Sequence, residues 1–100
     1  MYDAANLGKL AKLGELAPAA WAGFLTFDKA ALADGAIPAR TKELIAVAVA
    51  VTTQCPYCID IHTKRARAAG CTEAVLAEAV LVAAALRAGG AVTHGTNCLE

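Results

Sequence analysis

The stretch that decides the fold runs from residue 43 to residue 62, ELIAVAVAVTTQCPYCIDIH. Its first half alternates Ile45, Val47, Val49 and Val51 with alanines. A period of two with β-branched residues is a strand signal. Alanine, however, is the best helix former and is depleted in strands. An all-apolar run of this length fits a buried helix equally well, and periodicity leaves both readings open. The second half carries Cys55 and Cys58 three residues apart, with His62 four residues further on.

Working outward, the signals are helical. Leu7, Leu10, Leu13 and Leu16 make residues 3–16 a passable amphipathic helix, with Asp3 as its cap and Gly8 and Gly14 as weak points. Pro18 opens a second helix holding Trp21, Phe24, Leu25 and Phe27 and stopping near Gly35. Pro38 restarts the chain. Pro56 stands at a first-turn position of a helix over 56–69, with Lys64, Arg65 and Arg67 on a solvated C-terminal face and Gly70 as the stop. Thr72 and Glu73 open a last helix, 73–87, apolar nearly all round and so expected to be buried on most sides. Residues 88–100 read as a tail.

One hundred residues make one domain, 1–100. Nine basic residues balance nine acidic ones, and no basic run tracks phosphates, so nucleic acid is not an expected partner. Apolar residues reach 58%, more than so small an interior can hide, which argues for a homo-oligomer. The apolar runs 44–51 and 79–86 fall short of the ~20 residues of a membrane span. The N-terminus lacks a secretory pattern. A cytoplasmic protein without a membrane partner is expected, and in that compartment a Cys-x-x-Cys pair reads as redox or metal chemistry.

Four readings of the pair compete. Cys-Pro-Tyr-Cys is the glutaredoxin string, but after residue 70 nothing remains to build that fold's sheet. As a metal site, Cys55, Cys58 and His62 would need Cys71, His94 or Cys98 as a fourth ligand, and the second knuckle of a structural zinc site is missing. A plain core role for all three is the blandest alternative. The fourth reading is redox catalysis. If the motif opens a helix, positions 55, 58 and 62 share one face. His62 then reaches the Cys58 thiol, and the helix N-terminus favours a thiolate. A turn near Thr53–Gln54 would fold 39–52 back on 56–69 as an antiparallel hairpin, bringing Glu43 to the depth of His62. The carboxylate can then fix the imidazole tautomer in a chain of carboxylate, imidazole, thiol and second thiol.

Glu43, eleven residues, CPYC, three residues and His62 together resemble the core motif of the alkylhydroperoxidase D-like, carboxymuconolactone decarboxylase superfamily. The resemblance spans roughly residues 20–95 and takes in PARTKELIAVAVAV, AAGCTEAVLAEAV and ALRAGGAVTHG. It implies an all-α fold of about five helices, with 44–51 helical, and assembly into trimers or hexamers. It implies a thiol peroxidase without cofactor or metal, reducing a hydroperoxide and recycled by a dithiol or thioredoxin-like donor. Cys58 would be the attacking cysteine, Cys55 the resolving one, and Glu43 with His62 the proton relay. Decarboxylase members lack the cysteine pair, so the resemblance points to peroxide rather than lactone chemistry. A non-peroxidase disulfide reductase or a redox-sensing oligomer is the alternative, and a metal-binding module a more remote one. The chain departs from the peroxidase members in carrying Pro56 and Tyr57 where they place a histidine between the cysteines. The Tyr57 hydroxyl is the one candidate to replace it. His94 is expected to be structural or interfacial, Cys71 to cap or pack, and Cys98 to be a free surface thiol.

Overall fold

The computed structural model describes residues 2–100 and is all-α, with no strand among the described residues. Five helices follow in order: α1 (Leu10–Leu16), α2 (Pro18–Leu32), α3 (Ala39–Thr53), α4 (Pro56–Ala68) and α5 (Glu73–Gly95). Single 3-10 segments, Ala4–Lys9 and Thr96–Cys98, flank them.

The ambiguous run 44–51 lies inside α3. Its alanines supply the propensity, and its small side chains let neighbouring helices come close. Ala50 on α3, Ala66 on α4 and Ala83 on α5 are all buried. Ala66 joins Val47, Cys71 and Leu76 in a small core, with Leu44 and Val75 packed against it. Cys71 therefore packs, and the cap of α5 is Thr72, whose hydroxyl accepts the Val75 N–H at 3.3 Å.

The turn between α3 and α4 is made by Gln54, in the left-handed conformation at φ 56°, ψ 43°. The Cys55 N–H then reaches back to the Ala50 carbonyl at 3.0 Å, a closure that satisfies a carbonyl the ending helix would otherwise orphan. Two residues separate the helices, so α3 and α4 run antiparallel as a hairpin, and α5 packs on α3. The link from α2 is also tied. The Asp34 carboxylate accepts the Ala39 N–H at 2.7 Å, and Lys42 Nζ donates to the Ala33 carbonyl at 2.6 Å.

Three expectations change. The predicted helix over 3–16 divides at Leu10, and its first part is 3-10, with Asp3 accepting from Ala5 at 3.0 Å. Gly14 is required where it stands: a Cβ there would lie 2.4 Å from Trp21 Cδ1. The supposed tail is helix through Gly95. The pair Gly89–Gly90 does not end α5, because its i→i−4 ladder carries on across them. With the following turn, residues 73–98 form a helix long and apolar enough to cross a bilayer by length and composition. Nor is α5 buried on most sides. Leu76 and Ala83 are, while Leu81, Val82, Leu86 and Val92 are exposed.

The chain is open for its size. Its radius of gyration is 16.6 Å, against about 13 Å for a compact domain of this length. It exposes 7288 Å², some 2,000 Å² above the value of about 5,300 Å² expected of a monomer of its mass.

Candidate redox site

The hairpin brings Glu43, Cys55, Cys58 and His62 together. Glu43 sits in the first turns of α3 and His62 in the second turn of α4, at matching depths below Gln54. His62 Nδ1 and Glu43 Oε2 are 2.7 Å apart, with both side chains largely buried at 16% and 12% exposure. So short a contact in a partly dry site is a charge-assisted or strongly polarised hydrogen bond. It orients the imidazole and leaves Nε2 for the other side of the ring.

Cys55 is the N-cap of α4, and Pro56 occupies the first helical position, where no N–H is needed. The Cys55 sulfur takes the place of the usual capping oxygen and accepts the Cys58 N–H at 3.3 Å. The two thiols also share a hydrogen bond, and it sets their acidity. The bond from Cys58, with the Cys58 and Tyr57 N–H groups, holds Cys55 below an ordinary thiol, against the opposing effect of burial. The same bond, with burial and the negative charge of Cys55, pushes Cys58 up to about 11. Within the reduced pair Cys55 is thus the more acidic thiol and Cys58 the less acidic one.

The cavities single out the other thiol. One cavity of about 460 Å³, between α2, α3 and α4, is lined by Cys58 and His62. A second, of about 690 Å³, between the N-terminal segment, α2 and α4, is lined by the same two residues. Cys55 lines neither. A third residue, Asp28, half-buried on α2, is shared by both linings. Sequence reading missed it. The available signal was one acid on the apolar face of a helix otherwise built from Trp21, Phe24 and Leu25.

Tyr57, between the cysteines, turns its hydroxyl towards the N-terminal segment. It accepts from Asn6 Nδ2 at 3.0 Å and from the Asp3 N–H at 3.4 Å, and its ring meets Tyr2 edge-on at 4.9 Å. The 3-10 segment is thus fastened over the start of α4. His94 is exposed in the last turn of α5 and Cys98 is an exposed free thiol. Of the basic trio, Lys64 pairs with Asp60 and Arg67 with Glu73, each at 3.0 Å, while Arg65 lines the larger cavity. No group of three or more His, Cys, Asp or Glu side chains is arranged to hold a metal ion among the described residues.

Comparison with known proteins agrees with this architecture. A solved apo structure of a carboxymuconolactone decarboxylase family protein from Legionella pneumophila superposes with a TM-score of 0.76 at 38% identity, over 80% of this chain and 71% of that one. An uncharacterized protein of the cox locus of Paracoccus denitrificans is 53% identical over 76 residues, 76% of this chain and 68% of that protein. An alkyl hydroperoxide reductase of Mycobacterium tuberculosis is 41% identical over 68 residues, 68% of this chain but 19% of that protein. The model of the carboxymuconolactone decarboxylase family matches residues 18–100, which takes in the whole α3–α4 hairpin with Glu43, Cys55, Cys58 and His62, and the chain belongs to that family.

Proposed function

We propose that the protein is a thiol peroxidase that reduces hydroperoxides at Cys58. The observation that carries this reading is the Glu43–His62 hydrogen bond of 2.7 Å, beside a cysteine that lines the same cavities as His62. The likeness to a mycobacterial alkyl hydroperoxide reductase supports the reaction class.

A thiol pushed up to about 11 needs a base to react near neutral pH. His62, held by Glu43, takes the Cys58 proton. The thiolate attacks the terminal peroxide oxygen, an S–O bond forms, and the O–O bond breaks. The departing alkoxide takes the proton from His62 and leaves as the alcohol. Cys58 is then a sulfenic acid. Cys55, already poised towards thiolate, displaces hydroxide, which leaves as water once protonated, and the pair closes as a disulfide. A dithiol or thioredoxin-like donor returns two electrons and two protons. No cofactor or metal enters this scheme.

The opposite order, with Cys55 attacking as in a disulfide reductase, is favoured by one observation, the lowered pKa of Cys55. Peroxide consumption with a dithiol donor, on wild type, Cys58→Ser, Cys55→Ser and Glu43→Gln, separates the two. Cys58→Ser is expected to abolish turnover, Cys55→Ser to accumulate sulfenic acid on Cys58, and Glu43→Gln to lower kcat/KM about tenfold or more. Sulfenic acid trapped on Cys55 in Cys58→Ser, with none on Cys58 in Cys55→Ser, reverses the roles. No turnover by wild type with any dithiol removes the peroxidase.

The same reading takes the chain as one domain that works in the cytoplasm as a homo-oligomer, a trimer or hexamer. Copies of the chain, rather than lipid, cover the apolar side of α5, whose Leu76 and Ala83 are already packed into the domain.

A further inference from the structure

Two cavities meet at three residues, and one of the three is the proposed nucleophile. Asp28, Cys58 and His62 are the residues common to both linings. Each cavity, at about 460 and 690 Å³, is by itself as large as a small-molecule site. Hydrogen peroxide is scarcely larger than a water molecule, whose share of liquid volume is about 30 Å³, and would leave nearly all of that space unfilled. The walls are mostly apolar: Ile37, Ile45 and Val49 on one side, Leu10, Phe24 and Leu25 on the other. A ligand that fills both must carry two hydrocarbon arms and present its reactive group where they join.

Each cavity is lined by one cation: Lys42 in the smaller, whose ammonium already donates to the Ala33 carbonyl, and Arg65 in the larger. Arg65 stands seven residues beyond Cys58 on α4. Positions i, i+4 and i+7 place Cys58, His62 and Arg65 on one helix face, with the arginine about 10 Å along the axis from the thiol. A guanidinium at that distance suits the carboxylate of a chain whose interior carbon lies at Cys58.

We propose that the two cavities form one site for a long-chain fatty acid hydroperoxide. Its mid-chain hydroperoxide lies at Cys58, its carboxylate at Arg65 and its far arm in the smaller cavity. Asp28 stands where it can accept the hydroperoxide O–H and turn the terminal oxygen towards the thiol. The products are the mid-chain hydroxy acid and water, with the electrons supplied by the Cys55–Cys58 pair as above. This substrate assignment rests on the peroxidase reading, but its binding half can be tested without turnover.

Reduced full-length protein is treated with iodoacetamide, and alkylation at Cys58 is followed by mass spectrometry in the presence of linoleic acid or its methyl ester. The acid is expected to protect Cys58, with the ester binding about tenfold or more weaker because it forfeits a hydrogen bond to a charged group. In Arg65→Gln that advantage of acid over ester is expected to vanish. In the dithiol-coupled assay, linoleic acid hydroperoxide is expected to show a higher kcat/KM than hydrogen peroxide. Absence of protection, or equal protection by acid and ester in wild type, overturns the site. So does protection that rises with protein concentration alone, which assigns the cavities to a second copy of the chain. Hydrogen peroxide turnover without fatty-acid protection removes this site and leaves the peroxidase. Protection without turnover of any hydroperoxide removes the peroxidase and with it the substrate assignment.

Discussion

At the scale of single residues, the two cysteines divide two properties that one nucleophile usually combines. Cys55 has the acidity, through the hydrogen bond from Cys58 and the first N–H groups of α4. Cys58 has the place on both cavities, beside His62. The division has a pH signature. Only the thiolate is alkylated quickly, so the rate at Cys55 rises as pH climbs through its pKa. The lowered value places that midpoint below the midpoint of an ordinary thiol. Cys58→Ala removes the thiol that donates to Cys55, so the Cys55 midpoint should move up. Site-resolved iodoacetamide rates against pH measure the shift, and a midpoint that stays put or moves down contradicts the hydrogen-bond account. The spacing of Cys55, Cys58 and His62 was legible because a helix places those positions on one face. Asp28 was not legible: it reaches both cavities because α2 faces α4 across them, which no local pattern encodes.

At the scale of elements, the site depends on two backbone corners of opposite design. Gln54 adopts φ 56° with a side chain, and Gly70 adopts φ 91° without one. A Cβ in left-handed backbone costs roughly 1–2 kcal/mol, so Gly70→Ala should destabilise by about that amount. Gln54→Gly relieves the same strain while adding unfolded-state entropy of roughly 0.5–1 kcal/mol, so it should leave stability level or slightly higher. Thermal unfolding tests the pair: for a domain of this size each kcal/mol moves Tm by about 4–8 °C. A loss of Tm in Gln54→Gly comparable to that in Gly70→Ala would show that the side chain of Gln54, not its backbone, makes the turn. The hairpin was anticipated from the break at Thr53–Gln54. The helical state of 44–51 was anticipated from the family resemblance, because Val-Ala alternation supports strand and helix alike. The continuation of α5 through Gly89–Gly90 went unseen. Two glycines read as a stop, yet they only weaken a helix whose immediate flanks, Ala88 and Ala91, are the best helix formers.

At the scale of the whole molecule, the exposed apolar surface is the main feature. Leu81, Val82, Leu86 and Val92 on α5 stand at 59–75% exposure. The surplus surface of the open chain exceeds the roughly 800 Å² that one partner loses in an interface of standard size. Sedimentation should therefore find wild type as an oligomer, and Leu81→Glu with Leu86→Glu should shift it towards monomer and lower its Tm. A wild-type monomer at micromolar concentration would contradict the assembly. The composition already pointed this way, since a chain of this size cannot bury so many apolar residues. Which helix carries the surplus was decided by packing, and α5, expected to lie inside, lies largely outside.

The chain by itself determined the helical punctuation, the one-face spacing of the thiols and imidazole, and the excess of apolar residues, because each follows from local periodicity or from composition. Tertiary structure decided what depends on elements far apart in the chain. It set the 2.7 Å contact between Glu43 and His62, the placing of Asp28 between two cavities, and the fastening of Asn6 onto Tyr57. The physical reason is the same throughout: a helix specifies which residues share its face, but only packing between helices specifies what that face meets.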